Sequence, residues 1–371
     1  MKRWMMFVVV VTTLAVCIAA PVGALGRRSL PKRPSPATTT TTTTTTTQPA
    51  QTSVLTVGMQ DPPLGSTVAV QDAELADMAD NLHTTTVRID MDWGYVQYEG
   101  PTSYDWSLYD PAVAQARAYG MSILFLIQGT PAWASALGGS DSATTDEPAS
   151  AAAFASFCQQ VAERYGSGGP TSYEIWNEEN NVDFWTPAPN PALYTQVLQD
   201  SYTAIKAVEP HQTVITGGLA PETTDSEGDI APVTFLQDIY ADGAQGYFDA
   251  VGYHPYSYDA LPDTYESWSG WSQMSATTPS IRSVMTANGD ADMQVWITEV
   301  GWPSNTADLT GIPGPTADAD EVQQVMAFAR VNSWVGPIYW YEYEDDPSGP
   351  FGLVTTSGTQ KPAYTAMEKD G

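Results

Sequence analysis

Two glutamates in the 371-residue sequence stand directly after apolar, β-branched runs. Glu178 follows the run in YEIWNEEN, and Glu299 follows the run in VWITEVGW. Each run predicts a buried strand, so each carboxyl group is expected where a side chain leaves the sheet. One such glutamate is ordinarily a solvated or ion-paired residue, but two that meet can hydrolyse a glycosidic bond. One carboxyl group then protonates the leaving oxygen while the other attacks the anomeric carbon.

The segments around these glutamates alternate between short apolar runs and longer helical patterns. Helical spacing is clearest in residues 70–82 and 321–331, where apolar residues recur every three or four positions. Strand followed by helix, eight times over, predicts an α/β fold, a (β/α)8 TIM barrel with a buried parallel sheet. The predicted strands are 54–57, 86–89, 122–126, 172–176, 213–216, 250–253, 294–298 and 337–340.

A doubly wound open sheet is the alternative fold. That fold favours a Gly-rich phosphate turn after an early strand, whereas residues 57–63 read VGMQDPP. A barrel instead places its active residues at the C-terminal ends of its strands. Polar and aromatic residues converge at these predicted positions: Arg88, Asp90, Gln128, Trp133, Asn177, Glu178, His254, Tyr256, Glu299, Trp302, Trp340 and Glu342.

The order and spacing of these motifs resembles clan A of the glycoside hydrolases over nearly the whole region from Val54 to Met367. Within the clan, the motifs are most similar to family 39 and related polysaccharide hydrolases. The clan signature is Asn-Glu at the end of strand four, matched by Asn177 and Glu178, and Glu at the end of strand seven, matched by Glu299. The resemblance implies a retaining O-glycosyl hydrolase that cleaves a polysaccharide or glycan by double displacement, with Glu178 as general acid and base and Glu299 as nucleophile. It also implies supporting positions at Arg88 in TVRID, His254 and Tyr256 in GYHPYSY, and Trp340 in IYWYEY.

Glu179 stands where the commonest clan pattern has proline, and TEVGWPS around Glu299 is similar to family 17 of the same clan. The family within the clan, the sugar, the linkage, and internal or terminal cleavage therefore stay open. In a frame shifted by one residue, Glu179 would be the acid. Adjacent side chains near a strand end point in opposite directions, and Asn177 sets the frame, which favours Glu178.

The supporting residues have physical roles of their own. A guanidinium at Arg88 would keep the carboxyl group of Glu299 ionised, and the hydroxyl of Tyr256 could bind the same group. Asn177 can donate to a sugar hydroxyl beside the reacting carbon. Arg88 could equally tie strands together, and His254 could orient its neighbours without contacting substrate. Tryptophans in loops after strands, Trp133 and Trp302 among them, either stack on sugar rings or serve only packing.

No cofactor or metal is expected from the sequence. The chain has three histidines, and His83 and His211 occupy predicted helix-end or turn positions, so a histidine metal site is not expected. A metal-dependent hydrolase such as a deacetylase would need a His and Asp cluster that the sequence lacks. The other alternative is a catalytically inactive carbohydrate-binding barrel at the cell surface, although binding alone does not require paired acids. We expect a monomer that binds a polysaccharide or oligosaccharide.

The N-terminal segment predicts export. Residues 1–24 combine a basic start, a long apolar run and small residues, as in a signal peptide. The run is nearly long enough to remain as a membrane anchor, and Cys17 lacks the small preceding residue of a lipoprotein signal. Residues 25–51 form a basic, then Pro/Thr-rich linker, and 52–371 form the catalytic domain. Extracellular and cell-surface locations both remain open.

The charge of the chain is strongly divided. Six of the fourteen Lys and Arg lie in the first 47 residues, so eight remain beside all 43 Asp and Glu. So acidic a domain repels nucleic acid and anionic lipid, which excludes nucleic acid as a predicted partner. Once the leader is removed, Cys158 is the remaining cysteine, so no disulfide is expected and a buried thiol on a helix is predicted.

Overall fold

The computed structural model of the chain describes residues 55–60, 64, 66–139 and 145–370. The predicted signal segment and Thr-rich linker, residues 1–51, lie outside the described residues. The barrel belongs to one compact unit, Thr52–Gly371. Among the described helices, none is both long enough and apolar enough to cross a membrane.

Eight parallel strands pair in chain order and close on themselves, which confirms the predicted (β/α)8 barrel. Seven of the eight strands differ from their predicted bounds at one end or at both, and the sixth strand has the predicted bounds. The first strand begins three residues later than its apolar run, and the second continues through the polar segment DMD, because that segment still pairs with the third strand. The strands are β1 (Val57–Gln60), β2 (Thr86–Asp92), β3 (Ser122–Gln128), β4 (Thr171–Asn177), β5 (Thr213–Gly218), β6 (Ala250–Tyr253), β7 (Gln294–Val300) and β8 (Val335–Trp340).

Helices surround the sheet, and polar side chains fix several of their first turns. Ser150 and Asn190 accept hydrogen bonds from the backbone N–H groups of Ala153 and Leu193, so helix starts that would lack partners are capped. The helices are α1 (Val68–Asp80), α2 (Trp93–Val96), α3 (Tyr109–Ala118), α4 (Ala151–Tyr165), α5 (Pro191–Val208), α6 (Pro232–Ala241), α7 (Gly270–Ser275), α8 (Ile281–Ala287), α9 (Gly314–Val331) and α10 (Pro362–Asp370).

The interior of the barrel is filled by side chains and is not a pore. Five strands each contribute one buried residue to an inner cluster of Leu124, Ile215, Ala250, Trp296 and Tyr339. Burial of each large side chain stabilises the fold by about 1.5–3 kcal/mol. A larger cluster lies between the sheet and the helices and includes Cys158 on α4. That thiol is buried, as the sequence predicts, and burial raises its pKa to about 12.

Candidate active site

Glu178 lies one residue beyond the end of β4, in a turn with unusual backbone geometry. Trp176 and Glu178 have φ angles of 73° and 47°, in the left-handed region that non-glycine residues rarely adopt. The amide of Glu178 donates to the carbonyl of Gly218 at 3.1 Å. A Cβ atom at Gly218 would lie 2.0 Å from Nε2 of His254, so glycine is required there. This turn directs Glu178 towards the ring of His254 in the barrel mouth.

Glu299 projects into the same mouth from β7. The side chains of Glu178 and Glu299 are 12% and 13% exposed, so both carboxyl groups are largely removed from solvent yet accessible. One oxygen of each carboxyl group and one ring nitrogen of His254 all lie within 4.8 Å of one another. The structure therefore brings the two glutamates singled out by the sequence into one small cluster.

Arg88 is the buried cation of this cluster. Its side chain is completely buried, and Nη1 donates to Oε1 of Glu299 and to Oε1 of Gln60, each at 2.6 Å. Its Nε donates to Oε2 of Glu174 at 2.6 Å, and Nη2 donates to Oδ1 of Asn177 at 2.8 Å. These four bonds fix the guanidinium against Glu299. Because Oδ1 of Asn177 is occupied, the donor Nδ2 of that amide is directed elsewhere.

His254 and Tyr256, which follow β6, complete the surroundings of the two carboxyl groups. Nδ1 of His254 lies 2.8 Å from Oε1 of Glu178 and 3.7 Å from Oε2 of Glu299. Its Nε2 lies 3.0 Å from Oγ1 of Thr298, which fixes the ring plane. The hydroxyl of Tyr256 donates to Oε2 of Glu299 at 3.1 Å. Each carboxyl group thus has its own set of partners.

The pKa values of the two carboxyl groups are shifted in opposite directions. Burial raises the pKa of Glu178, and the negative charge of Glu299 adds to this, against the opposing effect of His254. Burial acts in the same sense on Glu299, but His254, the guanidinium of Arg88 and the hydrogen bond from Tyr256 together outweigh it and lower the pKa of Glu299. Glu178 is therefore suited to carry a proton and Glu299 to be ionised.

Within the described residues, Glu178, His254 and Glu299 are also the one group of Asp, Glu, His and Cys side chains close enough to share a metal ion. The guanidinium of Arg88, 2.6 Å from Glu299, would repel a divalent cation there. Both ring nitrogens of His254 already have protein partners. The arrangement therefore suits proton transfer better than metal binding.

The three predicted tryptophans differ in their exposure. Trp133 is 39% exposed, and its Nε1 donates to the carbonyl of Gln97 at 2.7 Å. Trp340 at the end of β8 is fully buried. Trp302 is also buried, in a small cluster with Leu261 and Ala317, and its Nε1 donates to the carbonyl of Thr306. Of the three, Trp133 has a ring that solvent reaches, and a sugar contact by any of them stays a prediction.

Other polar residues of the site were not singled out from the sequence. Glu174 and Gln60 hold Arg88, and Thr298 holds His254. Glu174 could have been found from the sequence, because it is a charged residue inside the apolar run of β4. An unpaired buried carboxylate is costly, so its position predicts a cation beside it. Gln60 and Thr298 have no comparable signal, since short polar residues are ordinary at strand ends.

Two further carboxyl groups flank the pair. Asp90 on β2 has a pKa raised to about 7 by burial and by the neighbouring charge of Asp92, and both of its oxygens lie 2.9 Å from Nε2 of Gln128. Glu222, after β5, has a pKa raised to about 7 by burial, then by Asp229 and Glu178. The rim of the mouth is therefore acidic on both sides.

A family model described as "Cellulase (glycosyl hydrolase family 5)" matches residues 43–344. The match covers well over half of the chain, so the protein belongs to this family, which lies within clan A of the glycoside hydrolases. The clan that the sequence motifs indicated is confirmed, and the family model gives family 5 where the motifs were most similar to family 39. No curated protein sequence matches the chain.

Solved structures share the fold at low sequence identity. A family 39 glycoside hydrolase from Bacteroides cellulosilyticus WH2 matches with 21% identity and a TM-score of 0.63, covering 84% of this chain and 62% of that one. A monomeric beta-xylosidase from Caulobacter crescentus CB15 matches with 18% identity and a TM-score of 0.58, covering 85% of this chain and 66% of that one. A GH5_18 protein from Streptomyces cattleya in complex with GlcNAc matches with 16% identity and a TM-score of 0.61, covering 85% of this chain and 79% of that one. The chain thus spans less than two thirds of the first two proteins.

Proposed function

We propose that this protein is an exported, retaining O-glycosyl hydrolase that cleaves a polysaccharide or glycan by double displacement. The observation that carries the proposal is the short separation of two carboxyl groups whose pKa values are shifted oppositely. Oxygens of Glu178 and Glu299 lie within 4.8 Å. Retaining enzymes have their carboxyl groups about 5–5.5 Å apart, whereas inverting enzymes leave about 6.5–9.5 Å for a water molecule.

In the first step, Glu178 donates its proton to the leaving oxygen while Glu299 attacks the anomeric carbon. The C–O bond to the leaving group breaks, and an ester forms between the sugar and Glu299. Arg88 and Tyr256 keep Glu299 ionised before the attack, since both favour its charged form. The amide of Asn177, held through Oδ1, can donate Nδ2 to the hydroxyl next to the reacting carbon.

In the second step, Glu178 becomes the base. Formation of the ester removes the negative charge of Glu299, which is one of the charges that raise the pKa of Glu178. The pKa of Glu178 therefore falls when a base is needed. Its carboxylate takes a proton from water as the water oxygen bonds to the anomeric carbon and the ester bond to Glu299 breaks, which releases the sugar and restores both carboxyl groups. His254, 2.8 Å from Glu178, holds that carboxyl group in place through both steps.

The class of substrate is proposed from the family and its relatives. The family description is cellulase, and one solved relative is named a beta-xylosidase, so a β-linked glycan is favoured. Export is supported by the basic and apolar pattern of residues 1–24, and the same segment would tether the protein to a membrane if it is kept as an anchor. N-terminal sequencing of protein recovered from culture medium and from membranes tests this part.

A mechanism-based label tests the chemistry. A 2-deoxy-2-fluoro β-glycoside with a good leaving group should form a stable ester, detected as a mass increase of the intact protein and located on Glu299 after proteolysis. The Glu299→Gln variant is the matched control and should take no label. In parallel, proton NMR of freshly released product should show the anomer of the substrate. Release of the opposite anomer by a chain that takes no label would contradict the double-displacement mechanism.

A further inference from the structure

Exposed aromatic side chains are concentrated at the catalytic face of the barrel. Among the described residues, eight Tyr and Trp side chains are exposed, and seven of them lie in segments that follow β2, β3 or β6. Tyr247, which precedes β6 at the opposite face, is the exception. Exposed rings are costly in water and suit the C–H faces of pyranoses, so this one-sided placement points to contact with sugar.

One group of these rings forms a defined groove. The segment directly after β2 encloses a cavity of about 430 Å³ lined by Tyr95, Val96, Tyr98, Glu99, Ser103 and Asp105. This volume lies within the range of small-molecule clefts, about 300–1,000 Å³. Tyr95 and Tyr98 are 42% and 61% exposed. Their rings offer apolar faces, and the neighbouring carboxylates and hydroxyl offer acceptors and donors, as a sugar requires.

The groove is held rigid by a buried amide beneath it. Gln97 is 3% exposed; its Oε1 accepts from Nε1 of Trp93 at 2.6 Å, and its Nε2 donates to the carbonyl of Pro101 at 2.9 Å. The amide of Asp105 donates to the carbonyl of Val96 at 2.8 Å and closes the segment. A site whose shape is fixed before binding loses little conformational entropy when a ligand enters.

The groove lies at the same face of the barrel as the catalytic mouth, because its segment begins where β2 ends. Asp92, two residues after Asp90, accepts from the amide of Tyr95 at 3.2 Å and so caps α2, which carries Tyr95. Trp133, the exposed tryptophan after β3, bonds the carbonyl of Gln97 in the same segment. A chain of sugars that leaves the mouth past Asp90 would therefore pass over Trp133 towards the groove.

The charges around the groove exclude an anionic ligand. None of its six lining residues is basic, and Glu99 and Asp105 are acidic. At the catalytic face, Arg88 is bound to Glu174 and Glu299, and Lys361, which follows β8, is bound to Asp345. Five other basic side chains lie at the opposite face of the barrel, in the last turns of helices that lead to the strand N-termini or end the chain. These residues are Arg117, Arg164, Lys206, Arg330 and Lys369. A uronate or sulfate would find no partner here.

We propose that the groove of residues 95–105 binds an uncharged pyranose unit of the polysaccharide substrate, beyond the sugars that contact Glu178 and Glu299. This site rests on the proposed glycosidase function but is separate from the catalytic cluster. It would hold long glycans and leave short ones unaffected, because only a long chain can occupy the mouth and the groove together.

Binding is measured with the full chain carrying Glu299→Gln, so that glycans stay intact. The probes are amorphous cellulose, β-mannan, xylan and chitin as uncharged polymers, and polygalacturonate as the anionic one. Addition of Tyr98→Ala should weaken binding to at least one uncharged polymer about fivefold, which corresponds to loss of about one ring contact. Tyr247→Ala, an exposed tyrosine at the opposite face, is the matched control and should leave binding unchanged.

A second readout uses the chain without Glu299→Gln. Tyr98→Ala should raise KM for the bound polymer about fivefold and leave kcat/KM for a short aryl β-glycoside unchanged. Any of three results would overturn the site. Polymer binding could be equal with and without Tyr98→Ala, the chain could bind none of the uncharged polymers, or polygalacturonate could bind equally well and with the same dependence on Tyr98. Tyr98-dependent binding by a chain that hydrolyses neither polymer nor aryl glycoside would instead overturn the proposed function and keep the site.

Discussion

Replacement of Tyr256 by phenylalanine isolates one hydrogen bond of the proposed nucleophile. The hydroxyl of Tyr256 donates to Oε2 of Glu299 at 3.1 Å, and the ring packs parallel to Tyr258 and edge-on to Tyr341 and Phe351. Phenylalanine preserves these ring contacts, so the fold should be unaffected. The loss is confined to one donor to a carboxylate that is 13% exposed.

The size of the effect follows from the charge on the acceptor. A hydrogen bond to an ionised group contributes about 1.5–3 kcal/mol, and each 1.4 kcal/mol is a factor of ten. We therefore expect kcat/KM of Tyr256→Phe to fall by about tenfold to a hundredfold. The hydrogen bond from Tyr256 lowers the pKa of Glu299, so its removal should raise that pKa. Because Glu299 must be ionised to attack, the acidic limb of the kcat/KM profile should move to higher pH.

Initial rates on an aryl β-glycoside across the acidic range measure both quantities at once. Tyr341→Phe is the matched control, since its hydroxyl lies 2.9 Å from Oγ of Ser348 and contacts neither catalytic carboxyl group. That variant should keep the acidic limb in place. An unchanged limb in Tyr256→Phe, or a limb displaced to lower pH, would refute the assignment of Glu299 as the ionised nucleophile.

Three further outcomes are expected. Glu178→Gln and Glu299→Gln should each fold and lose nearly all activity, but a substrate with a very good leaving group should partly spare Glu178→Gln because protonation then matters less; equal loss on both substrates would contradict Glu178 as the acid. Glu179→Gln should keep much of the activity. Burial raises the pKa of Glu179 to about 8, so the folded state must keep this proton and the unsubstituted chain loses stability as pH rises from about 5 to 8. In urea unfolding, Glu179→Gln should escape this loss and become more stable relative to the unsubstituted chain over that range. A chain starting at Gln51 should unfold cooperatively and stay active, since the linker offers no packing surface; a broad, non-cooperative transition would move the domain boundary.

The fold was predictable because parallel buried strands leave a simple trace in sequence. Strands covered on both faces read as continuous apolar runs, and helices between them show a different period. Register and exact ends are less visible. The run at 54–57 predicted β1, yet pairing with β2 and β8 begins at Gly58 and Val57, because the neighbouring strands and not local composition determine where a ladder starts.

The site was predictable in position and less so in its connections. Strand ends of a barrel converge, so Glu178 and Glu299 could be expected to meet although 121 positions separate them. The bond from Arg88 to Glu174 joins residues 86 positions apart inside the sheet, and sequence offers only the cost of an unpaired buried charge as a hint. Burial of individual tryptophans is harder still: Trp133 and Trp302 both follow strands, yet Trp302 is buried against Leu261 and Ala317 from other segments while Trp133 stays 39% exposed.

Glu179 shows how the backbone decides between two adjacent carboxyl groups. Sequence allowed either glutamate to be the acid, with strand alternation as the argument for Glu178. The structure separates them through the positive φ angles of Trp176 and Glu178, which turn Glu178 towards His254. Glu179 is fully buried on the other side, where its Oε2 occupies space that a Cβ at Gly217 would enter at 2.0 Å. A carboxyl group enclosed in this way cannot reach a substrate. Its raised pKa therefore reflects its enclosure, and a shifted pKa alone would not have distinguished Glu179 from Glu178, the proposed acid.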